Sequence, residues 1–348
     1  MIKEAAKKAI GAYQRHSVQN RSHKDMLKKI AEADVPIRQL DQKEIAEIDA
    51  YWKPFGVKPD HSAFRWYYSV NGTFDPRYIS EDVYTNSIWT VLNDMSRCKG
   101  LNDKNLFELL YPEAAMPETI FHNINGLLLD KNFRPIRFQE AMDMAAAEEK
   151  VVIKPAVGSC QGHGVACVEA ERLGETVRQY EKDYIVQKVL RQHPSFAVLN
   201  ESSVNVVRMT SLLLEDEVLI LDSIVRVGAP ESFTDHKNIA IGIRDDGTLK
   251  DVGFTVSGRK VDSLPNGFVF SGHALYAYSE MKELIRKIHV RTPQARLIGW
   301  DVTTDAAGNA VVIEANMSFP GIGRGQDCNG PFFGKYTDRV LKTVFGRE

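Results

Sequence analysis

Three oxygen-bearing side chains, Asp301, Glu314 and Asn316, stand close together near the C-terminus. Two apolar runs of strand length, residues 297–303 and 310–313, flank residues 305–309. The Asp, Gly and Asn of that middle segment tolerate turn geometry, so the stretch reads as one β-hairpin. Side chains alternate faces along a strand, which puts Glu314 and Asn316 on one side and lets Asp301 approach both across the hairpin. Hard oxygen donors so arranged suit Mg²⁺. A solvated acidic hairpin is the structural alternative.

The cations lie upstream. Lys154 ends the β-branched run 151–154, and Gly158, Gly162 and Gly164 follow before an apolar run resumes at 165–168. A glycine-rich hairpin leaves backbone N–H groups free to wrap a polyphosphate, and a lysine at its base adds a point charge. The Gly-Lys-Ser/Thr order of a Walker loop is absent, and a strand rather than a helix follows. The alternative here is a mobile surface hairpin.

Lys104 falls in the first turn of a helix capped by Asn102 or Asp103, where the helix dipole disfavours a cation. An ordinary surface lysine is the plainer account. Run 204–214 alternates, with Asn205 and Arg208 on opposite faces of a regular strand. After a turn at Glu215-Asp216, a returning strand over 218–227 sets Asp222 and Arg226 on one face. An inward arginine beside an oxygen-rich site suits phosphate or carboxylate, and an inward Asp–Arg ion pair is the alternative. Arg324, in the tail 318–326, is placed to reach a substrate or else is a loop charge.

The elements that must position these groups read as follows. The 348 residues allow two or three packed units, and 43% hydrophobic with 26% charged content is ordinary for a soluble globular chain. A formal net charge of −2 gives no bulk case for nucleic acid or an anionic membrane. No stretch is long enough to span a bilayer, residues 1–10 lack a signal-peptide core, and the cytoplasm is the default compartment. Cys98, Cys160, Cys167 and Cys328 lack zinc-site spacing; Cys160 and Cys167 flank the glycine-rich segment, where a reactive thiol is one reading and a small buried side chain the plainer one.

The N-terminal third reads as helices near residues 5–13, 24–33 and 42–52. The aromatic, turn-rich segment 64–78 reads as a satellite hydrophobic cluster. Further strands are read at 184–190 and through the paired runs after 204. No strand-Gly-x-Gly-x-x-Gly-helix pattern is present, which argues against a dinucleotide fold.

In this order the motifs resemble the ATP-grasp superfamily: an early helix lysine, a strand ending in lysine, a glycine hairpin, a linker strand, an arginine strand and a terminal Asp…Glu-x-Asn hairpin. The closer likeness is to its sugar-transfer-associated branch. It is carried by Asn71-Gly-Thr-Phe-Asp-Pro-Arg-Tyr78, Asp103-Lys-Asn-Leu106, Val186-Gln-Lys-Val-Leu-Arg-Gln-His-Pro194, Ser203-Val-Asn-Val-Val-Arg208 and Ile298-Gly-Trp-Asp301. The resemblance implies an α+β ATP-grasp fold, two α+β subdomains gripping ATP, behind a mainly helical region. Its expected bounds are 1–100 for the helical region and 101–348 for the ATP-grasp domain. Within the latter, 151–190 would be the glycine-loop subdomain and 200–325 the metal and catalytic subdomain.

The resemblance further implies that Lys104 and Lys154 contact nucleotide phosphates and that Gly158, Ser159, Gln161, Gly162 and Gly164 close over them. Gln187, Lys188, Val189 and Leu190 would form the adenine hinge through backbone groups, although members often carry an acid where Gln187 stands. Asn205 joins the nucleotide set. Asp301, Glu314 and Asn316 would hold Mg²⁺, and Arg208, Lys154 and Arg324 would act on the reacting groups. The branch commonly has a His-Pro-Asp-Thr-like stretch; residues 258–265 read Gly-Arg-Lys-Val-Asp-Ser-Leu-Pro, which points to a different acceptor site.

The expected activity is an ATP- and Mg-dependent carboxylate–amine (or thiol) ligase working through an acyl phosphate and releasing ADP and phosphate. Its partners would be a small-molecule carboxylate and an amine or other nucleophile, with a homodimer left open. The alternatives are a kinase acting on a hydroxyl, with a base such as Asp222 or Asp235, and a non-catalytic nucleotide-binding module.

Overall fold

A computed structural model describes residues 2–158, 163–180, 183–221, 223–230 and 239–346, with side chains described from residue 17 onward. The chain opens with one helix, α1 (Ile2–Ala31), where the sequence suggested two. No proline interrupts it, and its lone Gly11 costs only about 1 kcal/mol in a helix. Helix α2 (Gln42–Trp52) has the bounds expected from its pattern, because Asp41 and Glu44 form a reciprocal capping box. Helix α3 (His61–Asn71) ends at Gly72, whose φ of +79° closes it with a left-handed residue.

Two antiparallel sheets follow. The smaller runs β2-β1-β5-β3-β4, from β1 (Thr119–Ile124), β2 (Leu127–Asp130), β3 (Lys150–Pro155), β4 (Ala166–Glu169) and β5 (Tyr184–Lys188). It packs Phe121, Val151, Ile153 and Val186 on the helix Phe138–Ala145. The larger runs β11-β10-β9-β8-β6-β12-β13, with β7 also on β6. Its members are β6 (Val206–Leu214), β7 (Glu217–Ile220), β8 (Ile224–Val227), β9 (Ile239–Ile243), β10 (Leu249–Phe254), β11 (Lys260–Val261), β12 (Leu297–Thr304) and β13 (Ala310–Asn316). The single returning strand expected over 218–227 is two short strands, β7 and β8.

Both faces of the larger sheet are covered, as the period of two requires. Val207, Met209, Ile298, Trp300 and Val302 pack toward the helix Tyr278–His289. Leu212, Leu214, Ile224 and Leu297 pack toward the N-terminal helices with Trp52, Phe64, Trp66 and Tyr67. The aromatic segment after residue 64 is thus part of a main core, not a satellite. At Gly258 (φ +87°) an added Cβ would stand 2.9 Å from Val70 and 3.1 Å from Trp66, so glycine lets the helical layer seat closely. Cys98 and Cys328 are buried, with thiols pushed up to about 11 and about 12 by desolvation, which leaves them inert at ordinary pH.

Candidate active site

The hairpin of β12 and β13 turns at residues 305–309, where the Asp305 carboxylate accepts from the Asn309 amide at 2.8 Å and Gly308 has φ +91°. Beyond the turn Thr304 pairs with Ala310, Thr303 with Val311 and Val302 with Val312, but Asp301 pairs with Glu314. One residue, Ile313, is therefore extra. Continued without this bulge, the register would set Asp301 opposite Ile313 and turn Glu314 to the other face. The bulge is what brings the two carboxylates side by side.

On its other flank Asp301 pairs with Arg208 of β6. Arg208 donates to Asp301 through Nε (2.7 Å) and Nη2 (3.1 Å), and Arg226 of β8 adds Nη2 at 3.0 Å. Burial pushes the Asp301 carboxyl up, but the two guanidiniums outweigh it and hold the group below the usual carboxylate range. Arg226 thus bonds to Asp301; the expected Asp222–Arg226 pair falls on Asp222, which lies outside the described residues. Arg208 and Asp301 alternate in phase with Leu212 and Leu297, so they lie on the sheet face covered by the N-terminal helices.

The smaller sheet supplies the opposing cations. The Asp103 carboxylate caps a short 3-10 turn, Lys104–Leu106, by accepting from the Asn105 amide, and the Lys104 amide donates to Ala156 beyond β3 at 2.9 Å. Asn105 is pinned in turn: its side chain donates to the Asn123 carbonyl at 3.2 Å and pairs with His122 Nδ1 at 2.9 Å. From this anchored turn Lys104 reaches Glu314 of the larger sheet, Nζ to Oε1 at 2.9 Å, with the lysine side chain only 5% exposed. Lys154 is also buried; desolvation first, and then Lys104, lower its ammonium to about 8 against the pull of Glu314.

Asp301, Glu314 and Asn316 offer two carboxylates and an amide, a donor set that fits a hard divalent cation. The Asn316 amide nitrogen is buried and bonds to nothing, so it is not what fixes this side chain in place. No group of three or more His, Cys, Asp or Glu residues able to hold a metal is present among the described residues.

The sequence pattern of the sugar-transfer associated ATP-grasp proteins matches residues 85–340, most of the chain. The chain belongs to that family. Comparison with curated proteins gives no match. Among solved structures it is similar to an ATP-grasp ligase, PsnB, complexed with minimal precursor, at 16% identity and TM-score 0.40, covering 71% of this chain and 62% of that one. It is also similar to an L-amino acid ligase from Bacillus licheniformis (13%, 0.39, 70% and 48%) and to D-alanyl-alanine synthetase A from Vibrio cholerae (13%, 0.39, 71% and 66%). The chain spans less than two thirds of the length of these structures.

The other residues expected to serve an ATP-grasp site fall in several environments. Gly158 and Gly164 have φ of +78° and +74°, and a Cβ on Gly164 would lie 2.8 Å from Pro155, so glycine is required there. Ser159, Gln161, Gly162 and Asp235 lie outside the described residues. Gln187 is buried and donates to the Pro117 carbonyl at 3.0 Å and to Thr119 Oγ1 at 3.3 Å, tying β5 to the entry of β1. The Lys188 amide donates to the Glu118 carbonyl, and its ammonium pairs with Glu118 (3.0 Å) and Glu148 (3.1 Å). Val189 and Leu190 continue past the strand, the first exposed and the second half-buried.

Two expected groups are held by structural contacts. Asn205 precedes β6 and donates to the Phe196 and Asn200 carbonyls, each at 2.9 Å, which folds the preceding turn. Arg324 donates to the Phe254 and Thr255 carbonyls and to buried Asp327, whose other oxygen accepts from Trp66 Nε1 at 2.7 Å. These contacts join the tail to the helical layer. The pairing of Asn105 with His122 and the bulge at Ile313 were missed from sequence; a lone histidine in an apolar run and one extra strand residue leave no periodic mark.

Proposed function

We propose that the protein is an ATP-dependent ligase joining a carboxylate to an amine or thiol through an acyl phosphate. The observation that carries this reading is the meeting of Lys104 and Lys154 from one sheet with Arg208 and Arg226 from the other around Asp301 and Glu314. Four cationic groups against two carboxylates leave the cleft net positive, as a triphosphate requires. The family supports ATP as the phosphoryl donor.

In this reading a substrate carboxylate oxygen attacks the γ-phosphorus of ATP, the bond to the β–γ bridging oxygen breaks, and ADP leaves. The nucleophile then adds to the acyl carbon, phosphate departs, and the nucleophile loses a proton. Phosphoryl transfer needs positioning and charge neutralisation more than covalent help from the protein. Lys104 and Lys154 would neutralise phosphate oxygens, and Arg208 and Arg226 would steady the attacking carboxylate. Asp301, Glu314 and Asn316 would hold Mg²⁺, which offsets charge on the phosphates. The hairpin bearing Gly158 and Gly164 is suited to exclude water that would hydrolyse the acyl phosphate.

The test is ADP release from Mg·ATP across a panel of carboxylic acids, with and without amines, beside Glu314→Ala. Carboxylate-dependent turnover, reduced at least a hundredfold by Glu314→Ala, is the expected result. Turnover that follows hydroxyl compounds instead would make the protein a kinase, and tight ATP binding without turnover on any acceptor would favour a binding module. Among the described residues no helix is long and apolar enough to cross a membrane.

A further inference from the structure

The N-terminal helical layer covers the sheet face that carries Arg208, Arg226 and Asp301, and it meets the cationic site at one turn. The chain leaves β13 directly after Asn316, which pairs with Gly299. A Cβ on Gly299 would meet Pro320 at 3.1 Å and Arg208 at 3.4 Å, so Pro320 and the arginine both close over that glycine. The Tyr84 hydroxyl donates to the Pro320 carbonyl at 2.5 Å and fixes the turn from the helical side.

Tyr84 opens a π-helical turn, Tyr84–Ile88, followed directly by Trp89. Such turns are rare and occur frequently at functional sites. Here the turn lets two successive rings address one target. Trp89 packs edge-on against Phe319 (5.2 Å, 87°), and Tyr84 does so from another side (5.8 Å, 62°). Phe319 itself remains 45% exposed. The Trp89 indole N–H is buried with no hydrogen-bond partner, a costly arrangement that core packing alone does not call for. Arg208 stands near the same turn: it lies over Gly299 as Pro320 does, and its charge acts on Tyr84, one of the two rings that brace Phe319.

We propose that Phe319, braced by Trp89 and Tyr84, is the apolar wall of the acceptor subsite, and that the acceptor is an organic anion with a nonpolar face next to its carboxylate. The carboxylate would lie toward Arg208 and Arg226 while the nonpolar face covers Phe319. The identity of the carboxylate as the reacting group rests on the ligase reading; the shape of the subsite rests on the turn at Pro320 alone. Small polar acids fill the charge requirement but leave the ring wet, so they are selected against.

The experiment measures binding of acetate, butanoate, hexanoate and phenylacetate to the full chain in the presence of ADP and Mg²⁺, by intrinsic tryptophan fluorescence and by calorimetry. Affinity should rise by up to roughly fourfold per added methylene until the ring is covered. Phe319→Ala should flatten that rise, with ADP affinity measured on the same variant to report an intact fold. Trp89→Phe should remove the fluorescence response while calorimetry still shows the chain-length trend. Equal affinity across the series, an unaltered trend in Phe319→Ala, or no binding of any of these acids would overturn the proposal. The chain-length trend without ADP formation from Mg·ATP would instead remove the ligase reading and leave the subsite standing.

Discussion

Lys154 illustrates how one residue's surroundings set its working range. Its strand buries the ammonium and places it near Lys104, and the two effects bring it to about 8. Below that pH it is charged and able to neutralise phosphate; above it the charge is lost. Nucleotide affinity should therefore be level below pH 8 and weaken above it, by up to about tenfold per pH unit while this one proton governs binding. Titration of ADP affinity between pH 6 and 10 checks this, and Lys154→Arg, which stays protonated, should remove the break. The types and spacing of Lys154, Asp301 and Glu314 were legible because strand alternation is a strict period. The partners of Asp301 were less so, since Arg226 comes from a strand two positions away in the sheet.

The short turn carrying Lys104 is held by Asn105, which bonds to Asn123 and His122 of β1. His122 is fully buried, stacks on Phe133 at 4.6 Å, and is pushed down to about 4 by desolvation, so it is neutral when it pairs with Asn105. We expect His122→Leu to lose about 1–3 kcal/mol of stability, from the buried Asn105 oxygen it leaves unpaired. It should also raise the KM for ATP several-fold with a smaller change in kcat. Urea unfolding and steady-state kinetics on the same variant check both parts, and His122→Gln, which can still donate to Asn105, should restore much of each. A cap at Asn102 or Asp103 was readable from the sequence because capping is local, whereas the His122 contact joins residues 17 apart and depends on how β1 lies under the turn. The break between β7 and β8 and the bulge at Ile313 were hidden for the same reason: both are set by neighbouring strands.

Across the whole molecule, the larger sheet is the frame. One face holds a conventional core with the helix Tyr278–His289, and the other is shared between the N-terminal helical layer and the charged site. The Lys104–Glu314 pair joins the turn beside the smaller sheet to the larger one, and it is this lysine that we propose neutralises phosphate. The overall fold was legible from the order of motifs, which names the family and with it the architecture. The continuity of α1 and the aromatic core beneath the sheet were not, because helix breaks and packing partners depend on long-range burial. In the function we propose, this frame activates a carboxylate. The most direct measurement is incubation with Mg·ATP, hexanoate or phenylacetate, and hydroxylamine, which traps an acyl phosphate as a hydroxamate. Hydroxamate in equal amount to ADP, lost in Glu314→Ala, is the expected result. Carboxylate-dependent ADP formation without hydroxamate would contradict the proposal.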